Sequence, residues 1–234
     1  MAFFQDARST RQPFLRAPAS VLGLIGVLIA AHVGRVLAPA SVSDWILNNL
    51  ALDPVRYSLH APETIVDRIL PLFGYMFLHA NATHIAVNCV WLLAFGPIVA
   101  RRFGGVAFVL FFLLCGLAGA LCYVAINWGL DVGVIGASGA ISGLMGAAIR
   151  MMNLRQPYLN IAPLPLLPIF SSQVLGFTGV WLVVNLITGI MGLGLNGQIA
   201  SVAWEDHMGG YIAGLFLAGV FDRLVGLGSA RNAA

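Results

Sequence analysis

The chain contains no lysine; its twelve basic residues are all arginine. Charged residues of every kind make up only 9% of its 234 positions, against 59% hydrophobic. A soluble domain carries roughly 25% charged residues, because its surface has to be solvated. A chain this poor in charge has no such surface, so most of what surrounds it is lipid. Nucleic acid is excluded as a partner on similar grounds. The net charge is +3, yet no segment gathers arginine with interleaved aromatics into a basic face. Cysteine is scarce too: Cys89, Cys115 and Cys122 each fall inside an apolar run. They show neither the spacing of a disulfide framework nor that of a zinc site, and read as small hydrophobes.

What is abundant is long apolar sequence. A span needs about 20 mostly apolar residues to cross a hydrocarbon core of about 30 Å. Six runs qualify, at roughly 20–38, 80–99, 105–127, 136–152, 173–195 and 204–222. The expected fold class is therefore all-α, a polytopic bundle of six transmembrane helices. Residues 20–223 form the membrane domain, between an N-terminal tail, 1–19, and a short C-terminal tail, 224–234. The fourth run is the shortest and is rich in Gly, Ala and Ser, which suits a helix shielded inside the bundle. Residues 21–40 also have a basic front and an Ala38-Pro39-Ala40 end like that of a signal peptide, but the run is long for one and reads as a span.

Arginine sets the orientation. Arg8, Arg11 and Arg16 precede the first span; Arg101 and Arg102 follow the second; Arg150 and Arg155 follow the fourth; Arg223 and Arg231 follow the sixth. The loops after the third and fifth spans have none. This alternation predicts that both termini are cytoplasmic. The long first loop, about 39–79, balances Arg56 and Arg68 with Asp44, Asp53, Glu63 and Asp67 and stays greasy, as a segment lying in the outer interface would. Its Ser43-Asp44-Trp45 stretch predicts a helix cap at Ser43.

With that topology the second, fourth and sixth spans all run from outside to inside, so their first turns share one depth. Those turns carry the unusual residues: His79, His84 and Asn88 on the second, Gly136-Ala137-Ser138-Gly139 on the fourth, and Trp204-Glu205-Asp206-His207 on the sixth. Polar and ionisable groups within spans are costly and mark function, and three helices bring them to one level. His84 and Asn88, four apart, share a face. Gly139, Gly143 and Ala147 on the fourth span match Gly210 and Gly214 on the sixth, a small-xxx-small pattern that lets backbones approach closely.

The chemistry these groups support is acyl transfer. A serine hydroxyl becomes a nucleophile when a neighbouring base takes its proton, and histidine is suited to that role. The oxyanion so formed needs preorganised donors, worth roughly 3–4 kcal/mol each; His84, Asn88 and the Ser138 N–H can supply them. Nothing obvious in the sequence supplies a third triad member. Asp206, adjacent to His207 on a helix, points elsewhere and reads, with Glu205, as an acid favoured at a helix N-terminus. The G-x-S-x-G elbow is ruled out, since position 140 is Ala and no strand precedes it. A metalloprotease H-E-x-x-H pair is ruled out by the spacing of His79 and His84. No cofactor or metal is expected.

These residues resemble the rhomboid family of intramembrane serine proteases, in its bacterial six-span form. Gly136-Ala137-Ser138-Gly139 is similar to the family's nucleophile motif, His207 with Gly210 and Gly214 to its H-x-x-G-x-x-x-G motif, and His84 with Asn88 to its H-x-x-x-N motif. The resemblance implies nucleophile Ser138, general base His207, oxyanion donors His84 and Asn88, and a water-filled cavity open to the outside. It implies a bacterial inner membrane location and single-span membrane proteins as substrates, cut near their outer ends. Cleavage needs the substrate helix to unwind, and each bared backbone group in lipid costs several kcal/mol, so Gly, Pro or small residues are expected at the cut. The chain departs from the pattern in having Ser142 where some members stack an aromatic on the histidine, and Leu70-Pro71-Leu72-Phe73 where many carry a Trp-Arg pair. The competing reading is a non-catalytic scaffold of the same fold that binds client helices; a proton relay is disfavoured by the lack of carboxylates deep in the spans.

Overall fold

The computed structural model describes residues 17–58, 64–152, 165–190 and 203–232. Among these residues the chain is built from eight α-helices: α1 (Ala19–Leu37), α2 (Ala40–Leu50), α3 (Ile65–Gly74), α4 (Ala82–Phe103), α5 (Gly105–Ile126), α6 (Ser138–Met151), α7 (Ser172–Ile190) and α8 (Trp204–Asn232). No strand occurs among them; one isolated antiparallel bridge joins Leu52 to Val134. The tail arginines Arg8, Arg11 and Arg16, and Arg155 in the fourth-to-fifth loop, lie outside the described residues.

Five helices (α1, α4, α5, α7 and α8) are long and apolar enough to cross a membrane. The sixth expected span, α6, has 14 residues, about 21 Å at 1.5 Å per residue, and is too short to face lipid alone. It does not have to. Ten of its residues are buried, and it lies at the centre of the bundle against α4, α5 and α8. A helix of Gly139, Ala140, Gly143, Gly146 and Ala147 offers neighbours little but backbone, so they close on it directly. The apolar effect does not drive helices together in lipid, and close van der Waals contact takes its place.

The closest approach is between α6 and α8. A Cβ added to Gly210 would sit 2.7 Å from the Gly139 carbonyl carbon, and one on Gly214 would sit 2.6 Å from that of Gly143. The two small-residue stripes expected from the sequence are thus the seam itself. At the opposite end of the bundle from Ser138, Phe103, Phe111 and Phe221 pack with ring centroids 5.1–5.5 Å apart. Beside them Arg102 Nε donates to Asp222 Oδ1 at 2.6 Å, tying α4 to α8.

The reversal between α4 and α5 turns on Gly104, at φ 83°, whose N–H donates to Ala100 O at 2.9 Å. Arg101 and Arg102 in the last turn of α4 complement the negative end of the helix dipole. In the first loop, α3 opens with a capping box: the Asp67 N–H donates to Thr64 Oγ1, and the Thr64 N–H to Asp67 Oδ2 at 3.0 Å. The Thr64 hydroxyl and N–H together hold the Asp67 carboxyl below its usual range. The cap expected at Ser43 is not there. Helix α2 begins at Ala40 behind Pro39, whose ring already sets a helix-compatible φ, and the Ser43 hydroxyl accepts from Arg35 Nη1 at 3.3 Å instead.

Candidate active site

Ser138 is the first residue of α6, and the turn that delivers it depends on Gly136. That residue has φ 136°, a conformation side-chain-bearing residues avoid, and its N–H donates to Tyr75 O at 2.9 Å. The missing side chain matters as much as the angle. A Cβ there would lie 2.9 Å from both Cε1 and Nε2 of His84, and 3.6 Å from Ser138 Oγ. The imidazole and the hydroxyl therefore flank one point, held open by the glycine.

The tautomer of His84 follows from its partners. Its Nδ1 accepts from the Ala80 N–H at 3.4 Å, so the ring hydrogen is on Nε2, the atom that faces Gly136. The helix start is fixed by Asn81, whose Oδ1 accepts from the His84 N–H at 2.9 Å. One turn further on, Asn88 is buried and its Nδ2 donates to His84 O at 3.1 Å. An amide nitrogen carries two hydrogens; one is thus engaged on its own helix.

His207 stands in the first turn of α8. Asp206 just before it and Gly210 one turn after it both press on Gly139, the neighbour of Ser138. Its Nδ1 lies 2.7 Å from Oδ1 of Asn185 on α7, a contact the sequence reading did not foresee. Asn185 is itself buried, and its Nδ2 donates to Trp204 O at 3.1 Å. It belongs to a stripe that docks α7 on α8. Thr178 Oγ1 is 2.8 Å from Tyr211 Oη, Trp181 stacks on Tyr211 with centroids 4.1 Å apart, and Gly189 lies under Trp204. The signal was available: Thr178, Trp181, Asn185 and Gly189 repeat at helical spacing, and an Asn inside an apolar span calls for a partner.

Asp206 does more than the sequence suggests. It does point away from His207, but it is not simply an acid at an open helix end; it is 1% exposed. Its carboxylate takes the Gly139 backbone N–H, one of the donors that the start of a helix leaves without an internal partner. Its Oδ1 is 2.7 Å from the Tyr75 hydroxyl, which also lies 2.8 Å from Gly116 O. Asp206 thus fastens the first turn of α6 to α5, α8 and the segment before α4.

Behind His84 stand two further imidazoles. His79 is fully buried, with ring centroids 5.2 Å from His84 and 6.4 Å from His32. Among the described residues, no three His, Cys, Asp or Glu side chains are arranged to hold a metal ion.

The sequence stretch that builds all of this coincides with a known domain. A family model described as the rhomboid domain matches residues 67–223. The chain belongs to the rhomboid family. All four candidate site residues, and Asn185 and Asp206 beside them, lie within the match. It is 26% identical over 187 residues to RHOMBOID-like protein 1 of Arabidopsis thaliana, covering 80% of this chain and 41% of that protein. It is 27% identical over 147 residues to the rhomboid protease GluP of Bacillus subtilis (strain 168), covering 60% of this chain and 24% of that protein. A third relative, the mitochondrial RHOMBOID-like protein 6 of Arabidopsis thaliana, is 27% identical over 150 residues, with 62% and 41% covered. This rhomboid therefore spans less than half the length of these relatives. It is an integral, multi-pass membrane protein of all-α fold.

Proposed function

We propose that this rhomboid is an intramembrane serine endopeptidase that cuts single-span membrane proteins near the outer membrane face. The observation that carries the reading is the meeting of Ser138 and the His84 Nε2–H at the open face of Gly136, beside the α8 turn that carries His207. In this mechanism Ser138 Oγ attacks the scissile carbonyl and its proton passes to Nε2 of His207. The oxyanion is met by His84 Nε2–H and the remaining Asn88 amide hydrogen. Collapse breaks the C–N bond, and the His207 proton leaves with the new amine, giving an acyl-enzyme. Water, deprotonated by the same histidine, then attacks the ester and frees Ser138. Ser138, His207, His84 and Asn88 supply the whole of this chemistry, which calls for no cofactor.

The arginine alternation supports cytoplasmic termini, and the resemblance to six-span bacterial members supports a bacterial inner membrane. Substrates are helices weakened by Gly or Pro near their outer ends, since only a helix that unwinds presents its carbonyl. The test is labelling by a fluorophosphonate of the wild type, Ser138→Ala and His207→Ala in detergent. We expect labelling of the wild type alone; equal labelling of all three would overturn the reading in favour of a silent scaffold. In proteoliposomes, a Gly-containing reporter span should be cut faster than a poly-Leu one.

A further inference from the structure

We infer that Asn185 is the positioning residue for His207, so that the site works as Ser138–His207–Asn185 rather than as an unsupported pair. The inference rests on the peptidase reading for its catalytic meaning, but its geometry stands independently.

The argument is one of elimination among donors and acceptors. An amide has one acceptor end and one donor end, and an imidazole has one of each when neutral. The Trp204 carbonyl can only accept, so the Asn185 group 3.1 Å from it is the NH2. That fixes the amide's orientation and puts Oδ1 against His207, at 2.7 Å from Nδ1. An amide oxygen can only accept, so the hydrogen of His207 is on Nδ1. The lone pair is therefore on Nε2, the atom a general base must present to the serine. With Trp204 three residues before His207 on the same helix, the orienting group is braced on the very turn it serves. Without Asn185 the ring loses both its preferred tautomer and the contact that fixes its rotation.

A neutral amide also suits the place. A carboxylate there would bring a charge into a span, which is expensive in lipid. Asn orients the ring without one. Ser142 stands where some members stack an aromatic on the histidine; here the ring is met by Asn185 from α7.

A purely structural role, docking α7 on α8, is the competing account, and Thr178 provides the control. Its hydroxyl meets Tyr211 on the same stripe, one turn beyond His207 on α8 and two turns from Asn185 on α7. The experiment follows the His207 ring nitrogens by 15N NMR in detergent, assigned by comparison with His207→Ala, together with fluorophosphonate labelling rates. The wild type should show hydrogen on Nδ1 and a bare Nε2. Asn185→Val should redistribute the tautomers and slow labelling roughly ten- to hundredfold, the value of one buried hydrogen bond. Asn185→Asp, which keeps the acceptor but gives up the Trp204 bond and brings in a charge, should label faster than Asn185→Val and slower than the wild type, and Thr178→Val should label normally. A wild-type His207 with its hydrogen on Nε2, an Asn185→Val variant that labels at the wild-type rate, or a Thr178→Val variant as slow as Asn185→Val would each overturn the inference. A wild type that shows the Nδ1–H tautomer but takes no label would refute the peptidase reading and leave the Asn185 geometry standing.

Discussion

Replacing Gly210 by alanine adds a single methyl group, and the structure says where it goes. The new Cβ would stand 2.7 Å from the Gly139 carbonyl carbon, whereas carbon atoms in good contact are about 3.5–4.0 Å apart. The obstacle is backbone in the middle of a buried helix, so no rotamer change relieves it; α6 and α8 must part by about 1 Å. Overpacking of this kind costs about 1–3 kcal/mol, and at roughly 2–4 °C per kcal/mol for a chain of this size the melting temperature in detergent should fall by several degrees. Function should suffer more than stability. Gly139 adjoins Ser138 and Gly210 is one turn from His207, so the displacement enters the distance between the proposed nucleophile and base directly. A misplacement of about 1 Å can slow an enzyme on the order of a hundredfold. Gly219→Ala on the same helix is the control, since its nearest neighbour is Arg150 Nη1 at an ordinary 3.7 Å. The assay pairs thermal unfolding with fluorophosphonate labelling. A Gly210→Ala protein that melts and labels like Gly219→Ala would refute the claim that the seam is closed to a methyl group.

Two further predictions come from groups that do not touch the reacting atoms. Asp206→Asn should be tolerated, because an amide of the same shape still accepts from the Gly139 N–H and can meet the Tyr75 hydroxyl, whereas Asp206→Leu should lower stability by about 1–3 kcal/mol by stranding those buried partners, as read by thermal unfolding in detergent. In the first loop, the Thr64 bonds that hold the Asp67 carboxyl low stabilise the start of α3 above the usual carboxylate range, near pH 4; that support is lost as pH falls through the lowered folded value, so amide-exchange protection at the Thr64 N–H should drop on acidification in the wild type, and protection at the Asp67 N–H should be low at every pH in Thr64→Ala.

Much of this was legible in the sequence for definite physical reasons. Composition dictated a membrane protein, because nine charged residues in a hundred cannot cover a surface. The central place of α6 followed from its length and its small residues, and the α6–α8 seam from Gly139, Gly143, Gly210 and Gly214. Ser138, His84 and the His207 turn meet because topology puts three helix starts at one depth. What escaped was long-range and side-chain specific. Asp206 finds Tyr75 at a separation of 131 residues, which no local pattern encodes. With Pro39 before it, α2 starts at Ala40, three residues ahead of the serine that looked like its cap. Asn185 was passed over because a lone amide in an apolar run carries no motif; its meaning comes from the stripe Thr178, Trp181, Asn185 and Gly189, which becomes visible once α7 has a partner.

The two polar groups that the sequence left without a role divide the work on the first turn of α8 between them. Asp206 and His207 are consecutive, so on a helix their side chains diverge by about 100°, and one residue cannot serve the other. The carboxylate turns toward α6 and α5, where it takes the orphaned Gly139 N–H and meets Tyr75. The imidazole is met from the other side by the amide of Asn185 on α7. The turn is thereby gripped from both flanks at the level of Ser138, by a carboxylate that sets how close the serine helix stands and an amide that sets how the histidine faces it. Positioning a base against a nucleophile requires both settings, distance and orientation. Here they are made by separate residues on separate faces of one helical turn, so mutation should be able to disturb either one without the other.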